Sequence, residues 1–387
     1  MKQLGMGLVY QIFMRIKPCF YEDIEDRREV PWLLEHPHFL LLYVPDNGHT
    51  KMKLVNPASD SYHRERIMAK MEKRTKRTQW VPLPHYALSH LWGITVTNKH
   101  LWDNIGDYVD DEKGQPAAPV SMRPEKRDTL LKLLRHHPDS YWWIDVLCAR
   151  TDTPLDIMGD IYSWCTECIA MIDCDPDIIP QVHSSMGQLR DTTTLEDDRQ
   201  REPFWKASEM LDILAQCHWW KRVWTWQEMV LPETVTLVSE RTLQLSTAHT
   251  LDIDDLETFP MKLDDNARRF GVYDDWNPHP DGVCLEEIGV SRMMKRHFGD
   301  PEVEALAIRS MVKTFGVSNR RCMDPADYVY GVLGVLRMYV PRKTDPDEVW
   351  KLFLERLSSY ISISNHAKRF DLATARNMAD VYGILKE

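Results

Sequence analysis

Four short apolar runs, residues 86–91, 141–147, 169–172 and 234–238, recur along the chain with stretches of helical spacing between them. That alternation constrains the fold more than any other feature. Apolar runs this short suit strands buried on both faces, and parallel strands need long crossovers, usually helices, to join them. Between the first two runs, Leu130, Leu131, Leu133 and Leu134 mark one helix face, with Pro138 just past its end. Thr153-Pro154 opens a second helix reaching to about Cys165, with a cap and then proline at the first position. In residues 204–230, Met210, Leu211, Leu214 and Cys217 form a further apolar stripe. The expectation is an α/β fold, a parallel sheet flanked by helices, with a mainly helical C-terminal region. In that region Asp345-Pro346 starts a clear amphipathic helix through Leu352, Phe353, Leu357 and Tyr360. The predicted organisation is an N-terminal extension over 1–80, a core over 81–240 and the helical region over 241–387. Residues 110–124 read as a loop, and the polar residues 175–202, with their threonine triplet, as a mobile insertion.

Charge narrows the partners. With 48 basic and 59 acidic residues the net charge is 48 − 59 = −11, which argues against binding nucleic acid or an anionic membrane along the whole chain. The basic stretch 64–77 is better explained as a solvated helix face than as a phosphate site. No apolar run approaches the ~20 residues of a membrane span, and the N-terminus is a poor secretory signal. Eight scattered cysteines suit a reduced, cytoplasmic compartment. Cys165-Thr-Glu-Cys168 has no second ligand pair at finger spacing, so buried thiols are expected there and no metal. No glycine-rich nucleotide loop, nucleophile elbow or HExxH motif is present.

Three separated segments carry the chemistry: His85-Tyr-Ala-Leu-Ser-His-Leu-Trp-Gly93, Tyr141-Trp-Trp-Ile-Asp-Val-Leu-Cys148 and Trp220-Lys-Arg-Val-Trp-Thr-Trp-Gln-Glu228. In this order they resemble the fungal heterokaryon incompatibility (HET) domain, with its patterns ALSYxWG, WIDxLCI and RxWTxQE. Arg321-Cys-Met-Asp-Pro-Ala-Asp-Tyr-Val-Tyr-Gly-Val-Leu-Gly334 is similar to the DPRDxVYxLLG stretch that often follows. The resemblance covers about residues 80–340. One departure stands out, because Ala149-Arg150-Thr151-Asp152 replaces the usual Ile-Asn-Gln and acidic stretch. The family is associated with regulated cell death when unlike hyphae fuse, which implies an incompatibility partner protein. Its remote similarity to TIR domains implies a TIR-like sheet, a homo-oligomer, and NAD or a related nucleotide as substrate rather than cofactor. The rival expectations are a non-enzymatic interaction module and a nucleotide-binding regulator without turnover.

The resemblance points to Glu228 as the catalytic group. Trp224 lies four residues earlier, on the same helix face, as a comparable Trp does before the catalytic Glu of NAD-cleaving TIR domains. A carboxylate there would stabilise the positive charge that develops on the ribose as nicotinamide leaves. The structural alternative is an ion pair of Glu228 with Arg222 or Lys221. Ser89, His90, Trp92 and Gly93 fall where the first strand meets its loop, the place where open parallel sheets bind ligands. Gly93 would admit a phosphate, Ser89 or His90 would donate to it, and Trp92 would stack on a base. A tight turn with Trp92 in the core, and a structural His90, are the alternatives. Asp145 interrupts an apolar run and needs a partner, whether a ligand ribose, Arg222 or loop amides. The cluster Trp219, Trp220, Trp224 and Trp226 is expected mostly in the core or at a subunit interface.

Overall fold

The structure, a computed structural model, describes residues 31–46, 50–75, 82–93, 99–190, 201–242, 244–256, 301–336, 338–364 and 371–386, together with 263, 287–289 and 292. Its strands are β1 (Leu41–Val44), β2 (Met52–Val55), β3 (His85–His90), β4 (Leu101–Trp102), β5 (Val109–Asp110), β6 (Val120–Ser121), β7 (Ser140–Ile144), β8 (Glu167–Ile172), β9 (Val235–Ser239) and β10 (Thr250–Asp252). Eight of them form one sheet in the order β10-β9-β8-β3-β7-β1-β2-β5, and β4 pairs with β6 separately. The four central strands β9, β8, β3 and β7 are parallel, as the alternating pattern predicts. Antiparallel strands continue the sheet on both sides: β10 beyond β9, then β1 and β2 beyond β7. Two strands therefore come from before residue 81, where the sequence alone suggested no sheet.

The centre of the sheet explains where a site would form. From β3 the chain goes first to β7 on one side, then crosses to β8 and β9 on the other. The chain thus reverses direction around β3, and in open α/β sheets the crevice outside the strand carboxyl ends opens at such a point. The sheet is firmly buried. All five residues of β7 are inaccessible or nearly so, and Trp142 stacks on Tyr86 with ring centroids 4.8 Å apart.

Three sequence expectations change. The run 141–147 is not one strand: β7 stops at Ile144 and a helical turn, Asp145–Cys148, follows. The Asp145 carboxylate accepts the Val146 amide at 2.7 Å, a local bond that competes with the sheet ladder and turns the chain. In residues 175–202 a helix, Ile178–Arg190, replaces the expected insertion, because Ile178, Ile179, Val182 and Met186 bury a stripe that the polar composition disguised. The threonine triplet lies outside the described residues. The long helical stretch 204–230 breaks into Arg201–Ala215, a 3-10 turn His218–Lys221 and the short helix Thr225–Val230.

Beyond the sheet lie helices Pro301–Val317, Asp327–Leu336, Pro346–Ser364 and Met378–Lys386. They pack onto the segment that ends in Glu228. Trp226 stacks on Phe315 at 4.6 Å, and Gly331 sits so close to Val223 that an added Cβ would meet its side chain at 3.0 Å. Trp219, Trp220 and Trp226 are buried within the chain, so they offer no free surface to a second subunit. No helix among the described residues is long and apolar enough to cross a membrane.

Candidate functional site

The carboxyl end of β3 delivers Ser89 and His90 into the interior, and the loop that follows carries Trp92 to the surface. Beside it, β7 ends at Asp145, and the short helix Thr225–Val230 brings in Glu228. Of the residues singled out from sequence, Ser89, His90, Trp92, Asp145, Arg222 and Glu228 are joined in one polar cluster.

Two linked centres make up that cluster. In the first, the Ser89 hydroxyl donates to Glu228 Oε2, and Trp219 Nε1 donates to the same hydroxyl at 2.8 Å. Glu228 is only 3% exposed, and it bonds neither Arg222 nor Lys221, the partners weighed from sequence. Burial pushes its carboxyl up to about 7, with Arg222, the Ser89 bond and Arg320 offsetting part of the effect and Asp145 adding to it. Near neutral pH this acid is therefore divided between its two forms, the condition that suits proton transfer or charge stabilisation. The buried hydroxyl of Tyr162, which feels the Glu228 charge, finds no hydrogen-bond partner among the described residues. Burial raises its pKa well above the ordinary value, so it stays protonated and able to donate.

In the second centre, Asp145 holds two rings. His90 Nε2 stands 3.0 Å from Oδ1, and Trp92 Nε1 donates to Oδ2 at 2.5 Å. Burial alone would raise the Asp145 carboxyl, but His90, Arg222 and the Trp92 bond overcome it and hold the group below its ordinary value. His90 is pushed down by burial and then by Lys126, so its ring is neutral at pH 7. Its Nδ1 lies 2.9 Å from the Leu91 carbonyl and 3.0 Å from Lys126 Nζ. Nδ1 thus faces both an acceptor and a donor, while Nε2, close to Asp145, makes no well-aligned hydrogen bond. Lys126 also donates to Leu91 O and lies 4.0 Å from Glu240, which Arg123 pairs. Burial brings the Lys126 ammonium down to about 7. Arg222 ties the centres together by donating to His90 O at 2.7 Å and lying over the Trp92 ring, 5.7 Å from its centroid.

The remaining candidates have other occupations. The close approach that Gly93 permits is to the protein's own backbone, since an added Cβ would meet Met122 N at 2.6 Å and collide with His100 O. Trp224 is half-buried and hydrogen-bonds the Asp327 carboxyl. The loop 149–152 is pinned by Arg150, which reaches Leu147 O and Glu112, and by Arg342, which donates to Thr151 O at 3.0 Å. Cys165 and Cys168 are buried thiols, and no group of His, Cys, Asp and Glu among the described residues is arranged to hold a metal ion. Lys126, Tyr162 and Glu240 escaped the sequence reading. Only Glu240 had a usable signal, as the first residue after β9 at the same edge of the sheet.

Residues 85–228 match the family model for the heterokaryon incompatibility protein, HET. The match begins at the first residue of β3 and ends at Glu228, so it spans both centres. The chain carries a HET domain. That assignment supports a role in heterokaryon incompatibility and the cell death related to it. No curated protein and no solved structure matches the chain.

Proposed function

We propose that this HET protein acts as a cell-death effector by hydrolysing NAD or a related nucleotide, with Glu228 as its catalytic group. One observation carries the reading. A buried carboxyl, raised to about 7, sits at the carboxyl ends of parallel strands beside the point where their order reverses. In the reaction the bond from ribose C1′ to nicotinamide breaks, and nicotinamide leaves with the electron pair. The oxygen of water bonds to C1′, and its proton passes to Glu228 or solvent. Ionised Glu228 would balance the positive charge on the ribose, Ser89 and Tyr162 would orient hydroxyls, and Trp92 with Arg222 would meet the base and phosphates at the surface. Glu228 is closed off in this conformation, whereas Trp92 is 43% exposed. Opening would come from displacement of Trp92 and Arg222, and self-association is the trigger that the TIR resemblance suggests.

The closure of Glu228 also favours a second reading, a non-enzymatic module that signals by binding an incompatibility partner. The test is nicotinamide release by the purified chain over a wide range of protein concentrations, alongside Glu228→Gln. Loss of one preorganised electrostatic group predicts a fall of at least ~100-fold in the folded variant. Host cells expressing the variant should then survive. A variant that still kills, from a parent that releases no nicotinamide at any concentration, would establish the signalling module instead.

A further inference from the structure

The helix that carries Glu228 is short, six residues, and its first turn has no side-chain cap. Its position is set from outside the residues that match the HET family. Arg320, in the connection between helices Pro301–Val317 and Asp327–Leu336, is buried against the start of that helix. Its Nη1 donates to Arg222 O at 2.7 Å and to Thr225 Oγ1 at 2.8 Å, and Nε donates to Glu287 at 2.8 Å. The guanidinium also lies over the Trp226 ring, 5.7 Å from its centroid. Next to it, the backbones of the two segments pair directly. Arg321 N donates to Lys221 O at 2.5 Å, and Val223 N donates to Arg321 O at 3.1 Å.

We propose that Arg320 is a positioning residue for Glu228: paired with Glu287, it fixes the turn 222–225 and hence the helix that presents the carboxyl to Ser89. The inference rests on the reading of Glu228 as the functional group. Four contacts from one rigid, planar fork do what a lysine cannot, since an ammonium has no fixed plane to share between a carbonyl, a hydroxyl, a carboxylate and an indole face. The alternative is that Arg320 only neutralises Glu287. That would leave Arg222 O, Thr225 Oγ1 and Trp226 as incidental neighbours, although each of them belongs to the Glu228 segment. Arg320 is also one of the charged groups that bear on Glu228. It and Arg222 favour the ionised carboxyl, whereas Asp145 opposes it; Tyr162 and Cys168 are neutral groups near enough to feel the Glu228 charge.

The test reads Glu228 itself. In the full chain, the Glu228 ionisation is followed by carboxyl infrared difference spectra, with Glu228→Gln identifying its band. The variant Arg320→Gln/Glu287→Gln removes both buried charges together and avoids stranding either. It is expected to melt close to the parent. Its Glu228 midpoint should rise by at least ~0.5 pH, because a nearby cation is lost. Nicotinamide release at pH 7 should fall at least ~10-fold through kcat, with the pH of half-maximal rate rising in step. A folded double variant with an unmoved midpoint and an unmoved pH profile overturns the proposal. Should the double variant fail to fold, Arg320→Lys decides, since it keeps the charge and loses the fork. A rate that falls while the midpoint stays supports positioning, and a parental rate overturns it. If the parent releases no nicotinamide, the midpoint still reports on Arg320. A shifted midpoint would then sustain the positioning role while the hydrolase reading fails.

Discussion

The two ends of β7 each hold a cluster of charged and aromatic groups, and they handle charge in opposite ways. At the amino end, Asp139 takes Arg66 at 2.5 Å and Lys70 at 3.0 Å, while Tyr43 donates to it at 3.3 Å. Burial tends to raise that carboxyl, but the bonds from Arg66 and Lys70 prevail and hold it below its ordinary value. Arg66 in turn is held more firmly protonated. Asp139 and Arg66 are each held in their usual charge state, and the groups of this cluster keep some contact with water. At the carboxyl end, burial pushes Glu228 up to about 7 and Lys126 down to about 7, and the opposite charges near them offset only part of that effect. Pairing stabilises; incomplete pairing in a dry site stores chemical potential for use. The difference is what makes the carboxyl end, rather than the amino end, the candidate site.

The sharpest way to break this comparison is to titrate stability with and without Glu228. A carboxyl raised from its ordinary 4.5 to about 7 favours the folded state fully below pH 4.5, and the benefit is lost as pH rises through 7. Glu228→Gln mimics the neutral form at all pH values. Denaturant unfolding should find the variant more stable than the parent by roughly 3 kcal/mol at pH 8, with the gap closing below pH 5. A variant that is less stable at pH 8 would mean that Glu228 is a structural ion.

A smaller effect is expected at the edge of the same cluster. Gly93→Ala drives a methyl group toward Met122 N and His100 O, both backbone atoms that cannot swing aside. A loss of about 1–3 kcal/mol should follow in chemical denaturation, from overpacking alone. Parental stability would show that the backbone at His100 and Met122 yields. The smallest effect belongs to the amino end. Asp139→Asn suits the left-handed backbone at this residue, φ 53°, and removes a pair whose partners are about a third exposed. The cost should be no more than about 1 kcal/mol and should shrink in high salt. It should vanish as pH falls through the depressed value of Asp139, and nicotinamide release should not change. A large loss of release in Asp139→Asn would erase the distinction between the two ends.

Much of this architecture is legible in the chain itself. The four parallel strands are apolar runs that can be read directly, and Ser89, His90 and Asp145 each fall at a strand carboxyl end or just after one, whereas Glu228 reaches them from the helix before β9. The details that escaped have physical reasons. A short apolar run does not reveal where strand becomes helix, so the turn at Asp145 was invisible. The outer strand β1 owes its place to pairing with β7, and β2 to pairing with β1, which local pattern does not encode. Lys126 carries no local mark of burial, and its partner Glu240 is more than a hundred residues away in the chain. The bond from Ser89 to Glu228 likewise spans 139 positions, and nothing near either residue announces it.

The backbone pairing of Arg222 with Arg321 has a consequence for how the protein is made. Arg320 follows Arg222 by 98 residues, so at about 5–20 residues per second a ribosome needs roughly 5–20 s to travel from one to the other. During that interval the parallel sheet can already be complete while the helix of Glu228 still lacks its anchor. A chain that stops before Arg320 therefore has the parallel sheet but lacks the contacts that fasten the helix of Glu228.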